Sequence, residues 1–302
     1  VLFVTETESS QVNSGNDAPP SLSHNSKPDT DWRWNVSAGE DSWKFWQALW
    51  TARDLFALLA LRDFQIRYRQ SVIGAAWAVV QPLTALLIFS VLFGLLGKRP
   101  ADENVPYWLI VLSGLLPWQF FNLVVQQGVN SLVANQHLIT KVRFPRQLLP
   151  LSSMFTASID FSVSSLPLAT GLIWYGYIGP RLLLAPVFLL LIVITTVALS
   201  LGLSALNALY RDVSQVIPLA MQVLFYGSAV VYQVNVLVPE RYRWLWSLNP
   251  LVSGIEGFRW SLLGTPPPTM PSMIASLAVA LVMLWGGGCY FRRVERMLAD
   301  RI

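Results

Sequence analysis

Charge is scarce in this sequence. Only 13% of its 302 residues are Asp, Glu, Lys or Arg, where a soluble domain carries roughly 25%, and over this length that excludes an ordinary water-soluble enzyme. Cysteine is nearly missing: Cys289 stands alone, so a disulfide framework is excluded. The two histidines, His24 and His137, lie far apart with no cysteine near them and leave little for a zinc site. A Gly-x-x-x-x-Gly-Lys-Ser/Thr motif is also missing. Gly94-Leu-Leu-Gly97-Lys98 comes nearest, but its spacing is wrong and Arg99 follows, so the chain does not bind ATP through a P-loop. No Asp, Glu and His cluster has the spacing of a membrane-embedded transferase or metalloprotease, which leaves no active site to name. What is abundant is apolar: 54% of the residues, with 13 Trp, 9 Tyr and 15 Phe and a mean hydropathy of +0.48. So many aromatics also exclude a disordered or fibrous chain. The composition is that of a membrane protein.

The gaps between charges set out the architecture. No charged residue lies between Gln70 and Gly97, Asn104 and His137, Leu182 and Tyr210, Val213 and Pro239, or Trp260 and Phe291, and Gln147 to Pro180 holds only Asp160. A helix needs ~20 apolar residues to cross ~30 Å of hydrocarbon. Each of the six intervals is long enough for one crossing and too short for two, which predicts an all-α membrane protein with six spans over 71–302.

Six spans place both termini on one side, together with the 2–3 and 4–5 loops. That side holds 15 of the 21 basic residues and the other side holds Lys98, Arg99, Arg181, Arg241, Arg243 and Arg259. The positive-inside rule then puts both termini in the cytoplasm. The net charge of +4 is mostly this topology signal and carries no nucleic-acid inference.

Residues 1–42 are rich in Ser, Asn, Asp and Pro, with seven acids against two bases. They lack the basic start and apolar run of a signal peptide and read as a disordered cytoplasmic tail, either passive or regulatory. Over 43–70, aromatic and leucine residues interleave with Lys44, Arg53, Asp54, Arg62, Asp63, Arg67 and Arg69. That texture predicts an amphipathic helix in the headgroup region leading into span 1. Over 237–271, Pro239 to Trp246, then Asn249-Pro250, then a short apolar stretch broken by Glu256 and Arg259, precede Gly264-Thr-Pro-Pro-Pro. This predicts one or two short re-entrant helices in the outer leaflet, a geometry tolerated where it is buried in protein or lines a cavity.

Within the spans, prolines 82, 117, 167, 186 and 218 predict kinks. Span 3 is the most polar, with six serines, Thr156 and Asp160. A carboxylate there costs ~2.5–3.5 kcal/mol on insertion scales, and Asp160 is open to two roles, a structural hydrogen-bonding group or a polar channel wall. Ala198 with Gly202, Ser200 with Ser204, and Gly286 to Gly288 permit close helix approach, within the chain or between subunits.

The run from Arg62 through Arg67, Ser71, Gly74 and Trp77 to Pro82 resembles the entry to the first span in permease subunits of polysaccharide-exporting ABC transporters, the exporters of O-antigen, capsule and teichoic acid. Gly114-Leu-Leu-Pro117-Trp118, the run Leu138 to Pro145, Tyr210-Arg211-Asp212 and Asn249-Pro250 agree with it. The likeness covers roughly residues 50–300, and the first forty have no counterpart in the typical family member. It implies a homodimer around a central channel, with two copies of a separate ATPase subunit that binds ATP and Mg. No cofactor is implied in this chain. The loop over 135–147, with Lys141, Arg143, Phe144, Pro145 and Arg146, would couple to the ATPase, supported by Arg62, Arg67 and Arg69. Tyr210, Arg211 and Asp212 would begin the gating helix. Aromatic rings suit sugar C–H faces, which makes Phe155, Phe161, Trp174, Tyr226 and Tyr232 candidates for the channel, with Asp160, Asn249, Glu256 and Arg259 as channel or exit candidates.

The expected function is the transmembrane subunit of an ABC exporter moving a lipid-linked polysaccharide across the bacterial inner membrane. An exporter of a lipid or drug-like molecule is the alternative within transport. A membrane-embedded transferase is the alternative from another class, and Asp160 is the only carboxylate within a span that it has to use.

Overall fold

A computed structural model describes residues 53–68, 76–95, 105–141 and 144–300. The tail over 1–42, the first part of the expected interfacial helix, Arg69 and Arg143 lie outside the described residues, and of Lys141 only the backbone is described. Among the described residues every regular element is helical.

The helix α1 (Arg53–Tyr68) places Asp54 in its first turn and Arg67 in its last, each charge complementing the helix dipole. It is apolar on two faces. Leu59 and Ala60 are buried in protein, while Leu58, Leu61 and Ile66 point outward. Its charges are interleaved with these apolar residues, and Arg62 pairs with the adjacent Asp63.

The uncharged helix α2 (Ala76–Leu95) is mostly exposed along Leu83, Leu87, Ile88 and Val91. The long helix α3 (Tyr107–Ala134) is the opposite: most of it is buried, and it forms the axis around which the other helices pack. Gly128 lets α3 approach the later helix α6, because a Cβ there would lie 1.9 Å from Ser200 Oγ. A short helix α4 (Gln136–Lys141) and the turn over 144–147 lead to α5 (Leu148–Trp174). The hydroxyls of α5 would be costly in hydrocarbon without partners, and many bond back to their own helix: Ser158 to the Met154 carbonyl, Ser162 to that of Ser158, Ser165 to that of Ser162.

A 3-10 turn (Pro180–Leu184) enters α6 (Ala185–Leu209). Next come α7 (Val213–Gly227), the single turn α8 (Val234–Leu237), α9 (Arg243–Ser247), α10 (Pro250–Leu263) and the terminal α11 (Met270–Asp300). A large apolar core joins α3, α5, α6 and α10 at one end. A smaller one gathers Leu59, Leu132, Leu148, Leu149, Leu201, Ala205, Phe291 and Val294 at the other. The small residues of α6 and α11 form an intramolecular seam: Gly287 lies against the Ala198 carbonyl, 2.4 Å from where its Cβ would be.

Among the described residues four helices are long and apolar enough to cross a membrane: α2, α3, α6 with its 3-10 lead, and α11. Helix α5 has 27 residues, about 40 Å at 1.5 Å per residue, but it carries the serine load. The expected fifth interval, 213–239, is not one helix. Helix α7 ends after 15 residues, about 22 Å, and the chain turns through Ala229, whose φ of 53° is left-handed.

Candidate translocation and coupling surfaces

At the end that holds the smaller apolar core, against which residues of α1 and α4 also pack, Phe144 is half-buried and Pro145 is buried. The Arg146 backbone N–H donates to Glu295 Oε1 at 3.4 Å, and its guanidinium donates to the Glu295 carbonyl at 3.3 Å. The 144–147 turn is therefore tied to the C-terminal part of α11. Nearby, Tyr210 is exposed at the end of α6, and Arg211 and Asp212 are exposed ahead of α7. The residue that joins these helices is Asn207. It donates to the Val129 carbonyl at 3.0 Å and accepts from Ser214 N–H at 3.1 Å, so one buried carboxamide fastens α6 to α3 and caps α7. Reading the sequence by its charges passes over it, because asparagine is uncharged. Its polarity inside an apolar interval is the signal that was available.

Asp160 is held from α1. Arg67 Nη2 lies 3.0 Å from Asp160 Oδ2, and Tyr68 Oη donates to Asp160 Oδ1. One helix turn earlier in α1, Asp63 accepts from Ser152 Oγ at 2.6 Å. The carboxylate in α5 is thus a docking point for α1. Burial, then the bond to Asp160, pushes the Tyr68 phenol up to about 12, so it stays protonated and donating at neutral pH. Beside this contact is a polar cleft of ≈ 230 Å³ lined from α1, α2, α3 and α5 by Arg67, Gln81, Gln119, Asn122, Gln126 and Asp160. A wider cleft of ≈ 650 Å³ shares Arg67 and Gln126 with it and also has Arg62 and Asn130 in its wall.

The opposite end is organised by Arg259. Its side chain is buried, and it donates to Ser113 Oγ and to the carbonyls of Tyr232 at 3.0 Å, Ala229 at 3.2 Å and Val230 at 2.9 Å. These carbonyls belong to the turn that stops α7, so the guanidinium supplies the donors that a continuing helix would have supplied. Asn249 caps α10 by accepting from Leu251 N–H, and its amide reaches the Gly227 carbonyl and Ser228 Oγ. Glu256 accepts from Val234 N–H at 2.9 Å. Tyr232 is buried, donating to the Tyr226 carbonyl and accepting from Trp246 Nε1. Three of the expected exit residues, Asn249, Glu256 and Arg259, therefore meet in one bracket around 227–234.

The aromatic candidates divide. Phe161 packs between Phe120 and Phe258, with ring centroids 6.3 Å from each. Phe155, Tyr226 and Trp174 are exposed, Trp174 at 85%. The structure does not gather these rings at one surface, and among the described residues no group of His, Cys, Asp and Glu is arranged to hold a metal ion.

Residues 54–263 match the family described as ABC-2 type transporter. The chain is 31% identical over 257 residues to an O-antigen export system permease protein, RfbA, of Myxococcus xanthus, a match covering 84% of this chain and 97% of that protein. It is 30% identical over 209 residues to an RfbA of Klebsiella pneumoniae, covering 68% and 79%. It is 24% identical over 251 residues to the polysialic acid transport protein KpsM of Escherichia coli, covering 80% and 94%.

Proposed function

The chain belongs to the ABC-2 type transporter family, and on that premise we propose that it is the membrane subunit of an exporter for a lipid-linked polysaccharide. The observation that carries this is 31% identity extending over 97% of an O-antigen export permease. The polar interior agrees with it: carboxamides and serines along α3 and α5 suit a hydroxyl-rich cargo better than a lipid tail.

In this reading α2, α3, α5, α6 and α11 cross the inner membrane. The sixth crossing is α7 with 228–237, its turn protected from hydrocarbon by Arg259 and Asn249. The segment from Val238 to Thr269 lies at the outer face and both termini are cytoplasmic, as the basic residues require. Two copies assemble with two ATPase subunits, which bind ATP and Mg. The ATPase seats against the 135–147 loop, and Glu295, α1 and its Arg67–Asp160 contact carry the resulting movement to α5. Tyr210, Arg211 and Asp212 stand at the start of the gate. Exposed Phe155 and Tyr226 offer rings to passing sugars. Conformational work at the loop is limited by the difference in its binding energy to the two ATPase states.

Gentle purification from native membranes tests the proposal. A P-loop subunit at one-to-one stoichiometry with ATPase activity is expected, together with loss of surface polysaccharide when the chain is deleted. A chain that purifies alone under several mild detergents, with export intact in the deletion strain, refutes it.

A further inference from the structure

We propose that the cleft between α1, α2, α3 and α5 is a subsite within a single subunit for one uncharged sugar ring of the exported polymer. The proposal rests on the export reading above and deepens it.

The charges around the cleft cancel in pairs. Arg67 pairs with Asp160, and Arg62 donates through Nε and Nη2 to Asp63, which also accepts from Ser152 Oγ. Neither a phosphate nor an ammonium group finds a free counter-charge there. What remains is carboxamide. Gln119, Asn122, Gln126 and Asn130 recur every three or four residues and so share one face of α3. Gln126 Nε2 donates to Asn122 Oδ1 at 2.7 Å, and Asn130 Nδ2 donates to the Gln126 carbonyl at 3.0 Å. Gln126 Oε1, Asn122 Nδ2 and the whole side-chain amides of Gln119 and Gln81 have no protein partner among the described residues.

Within a membrane helix, an amide without a partner costs several kcal/mol. Gln119 on α3 and Gln81 opposite on α2 lack one entirely, and Asn122 and Gln126 each keep one free group beside them, which implies that something polar is taken into the cleft. Each amide presents a donor and an acceptor, which matches a sugar hydroxyl, itself both donor and acceptor. Phe120 and Phe161, edge to face at 6.3 Å, close the inner wall and offer apolar surface to ring C–H groups. The cleft of ≈ 230 Å³ shares Arg67 and Gln126 with the larger one of ≈ 650 Å³; the larger one is of ordinary ligand-pocket size, and the smaller one has room for a single ring.

The test uses the full complex in cells exporting their own polysaccharide after growth on a tritiated sugar. A benzophenone amino acid placed at Leu123, in the cleft wall, or at Leu87, on the exposed face of α2, is photolysed, and the adducts are treated with periodate, which cuts vicinal diols. The expected result is a Leu123 adduct whose label is lost to periodate and a Leu87 adduct whose label survives. In parallel, Gln119→Leu with Gln81→Leu should lower export about tenfold, the scale of two lost net hydrogen bonds, at undiminished membrane level and thermal stability. A merely structural amide pair would instead lower stability when replaced. A periodate-resistant Leu123 adduct, which marks lipid, or full export by the double variant overturns the subsite while leaving the export function standing. Absence of export by the wild-type complex overturns both.

Discussion

Ser164 on α5 donates from its hydroxyl to the backbone carbonyl of Ala78 on α2 at 2.6 Å. That carbonyl stands four residues before Pro82, which has no N–H to give it. A proline inside one helix has thus created the acceptor by which a second helix holds it. Helix α2 is otherwise thinly packed, with most of its apolar side chains turned outward, so the bond is a main restraint on its position.

Ser164→Ala should destabilise the chain by about 1 kcal/mol. In a Pro82→Ala background the loss should nearly vanish, because residue 82 then donates to the Ala78 carbonyl within α2. Unfolding midpoints of the four proteins in detergent give the coupling energy, and strict additivity would count against the arrangement.

The Arg67–Asp160 contact predicts that Arg67→Ala and Asp160→Ala each cost about 2 kcal/mol, and that the double variant costs less than their sum. Tyr68→Phe should add a smaller loss. Because burial raises the Tyr68 phenol to about 12 from an ordinary 10, its contribution is complete below pH 10 and fades as pH rises through about 12. Thermal melts at pH 7 and pH 9 should therefore show the same Tyr68→Phe difference. Export by Asp160→Asn, which keeps the hydrogen-bonding shape, should persist at a reduced rate, as a docking carboxylate requires and a catalytic one does not allow.

Arg259→Met removes the donors of three buried carbonyls at once and should cost about 3–5 kcal/mol. Limited proteolysis of inside-out and right-side-out vesicles should then find new cleavage within 227–234. Gly114→Ala attacks the same turn from α3, since its Cβ would lie 2.1 Å from the Val230 carbonyl, and should cost about 1–3 kcal/mol.

Neighbouring glycines in α11 should respond in opposite directions. Gly286 has nothing within 4 Å of a Cβ position, whereas a Cβ on Gly287 would meet the Ala198 carbonyl at 2.4 Å. Gly286→Ala should stabilise by about 0.5–1 kcal/mol through helix propensity, and Gly287→Ala should destabilise by about 1–3 kcal/mol. Equal effects in thermal melts would dissolve the seam between α6 and α11.

At the coupling end, Phe144→Ala and Arg143→Glu should leave insertion intact and lower recovery of the ATPase subunit on purification. Glu295→Ala, which removes one of the two bonds that tie the Arg146 turn to α11, should reproduce part of the effect. Normal export by all three removes the coupling assignment.

The sequence by itself determined that this is an all-helical membrane chain, where its apolar intervals lie and, through scattered motifs, which family it resembles. Those properties depend on solvation and local spacing: a charge is excluded from hydrocarbon wherever the chain goes, and a run of 20 uncharged residues is visible without coordinates. Tertiary structure decided the rest. Asp160 was open between channel wall and structural clamp because its partners, Arg67 and Tyr68, lie on a helix far away in the chain. Arg259 was a channel or exit candidate, yet its donors close a turn that the apolar run over 213–239 did not reveal. The end of α7 at Gly227 follows from those long-range bonds and from Asn249. Carboxamides such as Gln119 and Asn207 carry no charge and so left the intervals clean. Only when helices are packed side by side does it emerge which amides are satisfied by protein and which are left facing a cleft.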